Sequence, residues 1–212
     1  GLGSYRTAWL MLHKLREAMV RPGRERLVGR VEVDETYVGG EEPGTRGRQT
    51  FKKALVAIAA ECRGRGMGRI RVQRIPEASW SVLQRFVVRH VEPGSVVLTD
   101  GLPSYGGVAR AGYRHDVREA GRGLPRVHRV AALIKRWLLG THQGGVSPAH
   151  LDAYLEEYTF RFNRRTSRYR GKLFFRLLQQ AVTMPPTIYR VRIRHVRGRK
   201  PKRSTKSGGR AH

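Results

Sequence analysis

Gly29-Arg30-Val31-Glu32-Val33-Asp34-Glu35-Thr36-Tyr37-Val38-Gly39-Gly40 is the stretch on which the reading of this chain turns. Val31 and Val33 alternate with polar residues and Gly39-Gly40 ends the run, which predicts a short β-strand. On a strand, Glu32 and Asp34 share one face and Glu35 takes the other. Two carboxylates on one face of a strand with a buried character are costly to desolvate unless a cation sits between them. A divalent metal is one candidate and a pair of flanking arginines is the other, and this stretch alone leaves both open.

Further strands follow on the C-terminal side. Phe51 to Glu61 is strongly apolar and Met67 to Ile75 alternates, with the turn Arg63-Gly64-Arg65-Gly66 between them, so three consecutive strands form an antiparallel meander. A basic loop, Glu41 to Thr50, joins the first two. Ser79 to Val91 has helical spacing and is stopped by Pro93-Gly94. Ser95 to Asp100 reads as a buried strand, Ser104-Tyr105 as the start of a short helix, and Tyr113 to Glu119 as an edge strand. Helices are expected over Val127 to Leu139, over His150 to Asn163 behind Ser147-Pro148, and over Leu173 to Val182. On the N-terminal side, Tyr5 to Val20 suits an amphipathic helix capped by Ser4, which must find an apolar partner elsewhere.

The balance of 43 Lys and Arg against 16 Asp and Glu gives a formal charge of +27, far beyond what solubility requires. A polyanionic partner is implied, with nucleic acid the leading class, although part of the excess belongs to a solvated basic tail. Cys62 is the only cysteine, so neither an internal disulfide nor a zinc ribbon can be built. No apolar run is long enough to span a bilayer and no signal peptide is evident, so a cytoplasmic, nucleoid-associated protein with no membrane partner is expected.

Asp34 and Asp100 fall at or near the ends of two strands that this element order can place side by side. If adjacent, the two carboxylates can share Mg²⁺ and direct phosphoryl transfer; otherwise they are turn or cap residues. His128, Ala132, Lys135 and Leu139 lie on one face of the helix that follows. There His128 is either a metal ligand or proton acceptor, or a loop histidine, and Lys135 either holds a phosphate or is solvated.

The stretch Val31 to Gly40, Thr99-Asp100-Gly101, Lys135-Arg136-Trp137-Leu138-Leu139-Gly140-Thr141-His142 and Tyr154 to Arg165 together resemble the DDE-type transposases of bacterial insertion sequences. The branch is the ISXO2-like one, with a zinc ribbon and helix-turn-helix ahead of an RNase H-like domain. The resemblance runs from Gly1 to about Tyr189. It implies an α/β RNase H-like mixed sheet flanked by helices, and cleavage and strand transfer at transposon ends that depend on Mg²⁺ or Mn²⁺. The partners it implies are transposon-end and target DNA and further copies of the chain.

By position, Asp34 and Asp100 match the first two catalytic acids and metal ligands. In relatives with a glutamate as the third, it stands seven residues before the lysine matching Lys135, and that position here is His128. Other relatives have an asparagine two residues before the lysine, where this chain has Leu133 on the side away from His128. His128 is therefore the expected third ligand, with Glu156 or Glu157 as lesser substitutes. Arg161, Arg164, Arg165 and Lys135 are expected to hold phosphates. Residues 1–28 read as the remnant of a helical DNA-binding module, 29–189 as the RNase H-like domain and 190–212 as a disordered basic tail. The zinc ribbon has no counterpart, which suggests an N-terminally truncated chain. Two other functions fit the same features: an inactive DNA-binding remnant, and an RNase H-like nuclease acting on other nucleic acid.

Overall fold

A computed structural model describes residues 3–21, 23–39, 53–119, 123–142 and 146–184. The expected loop over 41–50 and the expected tail over 190–212 lie outside the described residues. The opening stretch forms β1 (Arg30–Val38), followed by β2 (Ala54–Arg63) and β3 (Gly66–Ile75). Both neighbouring pairs are antiparallel, so the meander is as expected. The chain then forms α2 (Trp80–His90), β4 (Val96–Thr99), short 3-10 turns at Pro103–Tyr105 and Ala109–Ala111, and β5 (Arg114–Val117). It ends in α3 (Pro125–His142), α4 (Pro148–Asn163) and α5 (Arg170–Thr183), while α1 (Tyr5–Ala18) precedes the sheet.

The sheet order is β3-β2-β1-β4-β5, with β4 and β5 joining parallel to β1. Parallel pairing requires a crossover, and α2 supplies the one between the meander and β4. Helices cover both faces. Val31, Val33, Ala57 and Ala59 pack with Leu83, Phe86 and Val87 of α2 on one side. On the other, Val56, Ile58, Ile70 and Val72 pack with Val130 and Ile134 of α3 and Leu151 and Leu155 of α4. β2, buried on both faces, is correspondingly a continuous apolar run rather than an alternating one. This mixed five-stranded sheet between helical layers is the RNase H-like arrangement that the resemblance implies.

Ser4 caps α1, its hydroxyl accepting from the Thr7 N–H at 3.2 Å. The helix lies against α4 and α5, with Arg16 Nε donating to Glu157 Oε2 at 2.7 Å. Trp9 and His13 meet His150 and Tyr154 of α4 in one ring cluster. α1 thus packs within the same body through His13 and Ala18, while Met11 and Leu12 stay exposed.

α3 begins at Pro125, two residues before the apolar periodicity becomes visible at Val127. Proline suits the first helical turn, where no N–H is required. Val127, Val130, Ile134 and Leu138 are its buried side, which leaves His128, Ala132, Lys135 and Leu139 on the open side.

Candidate active site

The site is built at the carboxyl ends of β1 and β4. Their parallel register pairs Arg30 with Val96, Val31 with Val97 and Glu32 with Leu98. Asp34 and Asp100 lie two residues beyond the last of these pairs, near enough for the Asp100 charge to act on Asp34. Asp100 follows directly on the last residue of β4, and its Oδ1 accepts from the Leu102 N–H at 3.1 Å. Gly101, at φ +82°, turns the chain immediately after it, and a Cβ there would meet Val117 Cγ1 at 2.7 Å.

Asp34 lies on the α3 face of β1, as alternation predicts. Its Oδ1 accepts from the Glu35 N–H at 2.8 Å, and His128 Nε2 lies 3.2 Å from its Oδ2. Burial holds the Asp34 carboxyl above the usual aspartate range. The Asp100 charge acts in the same direction, while the Glu35 N–H and His128 oppose it. Asp34 therefore feels the Asp100 charge, which is the electrostatic situation a bound cation relieves.

Glu35 points to the opposite face, where the buried Tyr105 hydroxyl donates to its Oε2 at 2.8 Å. Burial and that carboxylate push the phenol well above its ordinary value.

Glu32 settles the ambiguity of the opening stretch on the arginine side. It is 1% exposed, and its Oε2 accepts from the N–H groups of Arg126 and Val127 at 2.7 and 3.0 Å. Its Oε1 accepts from Arg126 Nη1 at 2.8 Å. A strand carboxylate thus caps the first turn of a helix distant in sequence, where free N–H groups and the helix dipole favour negative charge. His128 comes one residue after Val127, so this cap determines where the imidazole stands. Sequence reasoning left Glu32 either supporting the metal ligands or pairing with an arginine, and named no arginine. The signal was Pro125-Arg126 at a helix start.

Leu133 is partly buried against the α3–α4 core and is no candidate ligand. Glu156 and Glu157, expected as lesser substitutes for His128, lie elsewhere. Glu156 is held by both terminal nitrogens of Arg24 at 2.6 and 2.9 Å, and Glu157 by Arg16 and Arg161. Both sit on α4, which packs against β3 at the far edge of the sheet from β4, and both carboxylates neutralise arginines there.

Lys135 is exposed, two turns along α3 from His128, or about 10 Å. The α4 arginines do not line this site. Arg161 pairs with Glu157 at 2.8 Å, and Arg164 stacks over Phe160 at 3.8 Å. Arg165 donates to the carbonyls of Met67, Gly68 and Phe162, clasping the β2–β3 hairpin to the end of α4.

The description of a protein family, the ISXO2-like transposase domain, matches residues 26–163, a span that holds Asp34, Asp100, His128 and Lys135. The chain belongs to this family. No curated protein matches the chain. Among solved structures, the Mos1 mariner paired end complex with Mn is 9% identical, with a TM-score of 0.32 over 83% of this chain and 64% of that one. A pre-cleavage Mos1 transpososome is 10% identical, with a TM-score of 0.31 over 84% of this chain and 64% of that one. The chain spans less than two thirds of the length of either neighbour.

In this transposase domain, the donor types around Asp34 are two carboxylates, which suit a hard divalent cation, and an imidazole, which suits a softer one. Among the described residues no group of three such side chains already converges to metal-binding distance. His128 Nε2 instead faces an Asp34 oxygen.

Proposed function

We propose that this chain catalyses cleavage and strand transfer at the ends of an insertion sequence, with Asp34, Asp100 and His128 as its catalytic and metal-binding residues. The observation that carries the reading is the Asp34 carboxylate, which feels the Asp100 charge from the end of the neighbouring parallel strand and faces His128 Nε2 at 3.2 Å, inside the segment matched by the transposase family.

Asp34 and Asp100 would hold Mg²⁺ or Mn²⁺ through their carboxylates, with His128 as the third donor. When bound, such an ion polarises a phosphodiester and makes bound water or a 3′ hydroxyl a better nucleophile. The chain's own part is to fix these donors. β1 and β4 set the carboxylate spacing, Gly101 sends the backbone away from Asp100, and Glu32 seats the first turn of α3. The reaction would hydrolyse the 3′ end of the element and then direct the freed hydroxyl at target DNA.

Lys135, on the open face of α3 beside the site, would hold a phosphate of the strand being cut. Arg161, Arg164 and Arg165 would serve DNA at a distance from it. Residues 29–189 would form the catalytic unit, residues 1–28 would derive from a DNA-binding module, and the assembly on DNA would contain more than one copy. No helix among the described residues is long and apolar enough to cross a membrane.

The deciding experiment is Mg²⁺-dependent cutting of labelled duplex carrying the ends of the element, with wild type beside Asp34→Asn. Cutting that disappears in the variant while duplex binding persists supports the reading. Binding without Asp34-dependent cutting leaves a DNA-binding remnant, and cutting indifferent to the end sequence makes the chain a nuclease.

A further inference from the structure

A second cluster of charge lies at the opposite edge of the sheet. The segment between α1 and β1 crosses the edge strand β3 there and, with the end of α4, encloses a cavity of about 260 Å³. Arg21, Arg24, Arg69, Arg71 and Arg164 line it, and Glu25 is the acidic residue among its walls.

Three of these arginines have carboxylate partners. Arg21 pairs with Glu25, Arg24 with Glu156 and Arg69 with Glu61. Arg71 and Arg164 differ. Arg71 is 4% exposed, and its guanidinium donates to the carbonyls of Ile70 at 2.9 Å and Glu25 at 2.5 Å. Arg164 lies over the Phe160 ring and donates to the Phe160 carbonyl at 3.4 Å. Among the described residues neither forms an ion pair.

A buried guanidinium hydrogen-bonded only to carbonyls is costly in a low-dielectric setting; Glu156 and Glu61 act on Arg71, and Glu25 on Arg164, only from beyond ion-pair distance. The arrangement is nonetheless firmly built. Asn163 exchanges hydrogen bonds with both the N–H and the carbonyl of Ile70, at 2.7 and 3.0 Å, pinning the end of α4 to β3 directly beside Arg164. Burial, with Arg24 and Arg69 nearby, brings Arg71 down to about 10. Burial, with Arg21 and Arg176 nearby, holds Arg164 below the ordinary arginine range. An anion in the cavity would relieve both repulsions at once, and guanidinium forks suit the tetrahedral oxygens of a phosphate.

We infer that the cavity bounded by Arg21, Arg71, Phe160 and Arg164 is a phosphate-binding site, separate from the Asp34–Asp100 site, that takes a phosphodiester of bound DNA. Only the choice of DNA as the source of the phosphate rests on the transposase reading. Two strand spacings, roughly 10 Å, separate β3 from β1. A duplex contacted at both places is therefore held across the sheet rather than at the cut alone.

The test uses the full chain and two probes. Thermal unfolding is followed against inorganic phosphate at constant ionic strength, and binding of a fluorescent duplex is followed over a salt series. The wild type is expected to show saturable stabilisation by phosphate. Arg164→Gln is expected to weaken phosphate about tenfold, to weaken the duplex, and to lower the slope of log affinity against log salt by about one. Arg164 is only half-buried, so this variant should fold, and circular dichroism checks that it does. Arg71→Met, with the same fold check, gives the second reading.

A change in the duplex arm, with or without the phosphate arm, supports the DNA site. Saturable phosphate binding lost in Arg164→Gln with an unchanged duplex slope keeps the site but assigns it to a free phosphate-bearing ligand. Phosphate and duplex both indifferent to Arg164→Gln overturns the inference. Cleavage is read in neither arm, so failure of the chemistry proposed for Asp34 leaves this result standing.

Discussion

His128 Nε2 stands 3.2 Å from Asp34 Oδ2, joining the first turn of α3 to β1 at the place where β4 brings Asp100 alongside. The contact makes His128 testable in two independent ways. His128→Ala is expected to reduce Mg²⁺-dependent cutting by about a hundredfold or more, in line with the loss of one preorganised group in an active site. It should also raise the Asp34 carboxyl further, because His128 now opposes the effect of burial. Carbon-detected titration of the aspartate side chains reads this second effect without catalysis. Undiminished cutting by the variant would remove His128 from the ligand set.

Asp34 also predicts a pH dependence with a definite sign. Its folded-state carboxyl is raised by burial first and then by Asp100, so the native chain holds that proton more tightly than the unfolded one. The associated stability is fully present below the unfolded value and is lost as pH rises through the raised folded value. Asp34→Asn has no such loss. In chelator-treated protein, its stability advantage over wild type should grow across that window and then level off. Urea unfolding over a pH series measures the difference, and parallel curves would contradict the assignment. Adding Mg²⁺ should reverse the order: the wild type gains about 2.7 kcal/mol at a hundredfold excess over Kd, and Asp34→Asn gains less.

Glu32→Ala removes the acceptor of two backbone N–H groups and a guanidinium at a position 1% exposed. Arg126 keeps the carbonyls of Gly66 and Gly64, so the loss of the buried acceptor should cost about 1 to 3 kcal/mol. Hydrogen exchange should localise the loosening to the first turn of α3, at Arg126 to His128. Uniform loss of protection over the whole sheet, with none concentrated in that turn, would count against a positioning role for Glu32.

Gly101→Ala should destabilise the chain by about 1 to 2 kcal/mol from its left-handed backbone alone, with the Val117 contact at 2.7 Å adding to it. Because the strain falls next to Asp100, divalent-cation affinity should drop together with stability. Gly112→Ala is the control. It shares a positive φ of +88° but has nothing within 4 Å of its added Cβ, so it should lose stability while keeping cation affinity.

The alternation around Val31 and Val33 sufficed for β1 and for the faces of Glu32, Asp34 and Glu35, because strand geometry has a period of two whatever the neighbours. Glycine and proline punctuation placed β2 and β3 around the turn at Gly64 and ended α2 before Pro93. The partners were harder to read. Glu32 with Arg126 is separated by 94 positions and Asn163 with Ile70 by 93, and no local pattern connects residues so far apart. Arg165 is expected as a phosphate ligand because it is an arginine in a basic run. Its carbonyl contacts at Met67 and Gly68 depend on how α4 packs on β3, which sequence does not display. Arg71 was hidden for the opposite reason: alternation along β3 explains its place, but not that among the described residues no carboxylate reaches it as an ion pair.

The parallel pairing of β1 with β4 also sets a timetable for synthesis. β1, β2 and β3 are close in sequence and can pair as the chain emerges. Asp34, however, meets Asp100 only after α2 has been made and β4 has threaded in beside β1, a contact of high sequence separation that forms slowly. His128 arrives later still, with α3. A growing chain therefore carries Asp34 through 94 further residues to reach His128, and the site proposed around it is incomplete until the crossover closes.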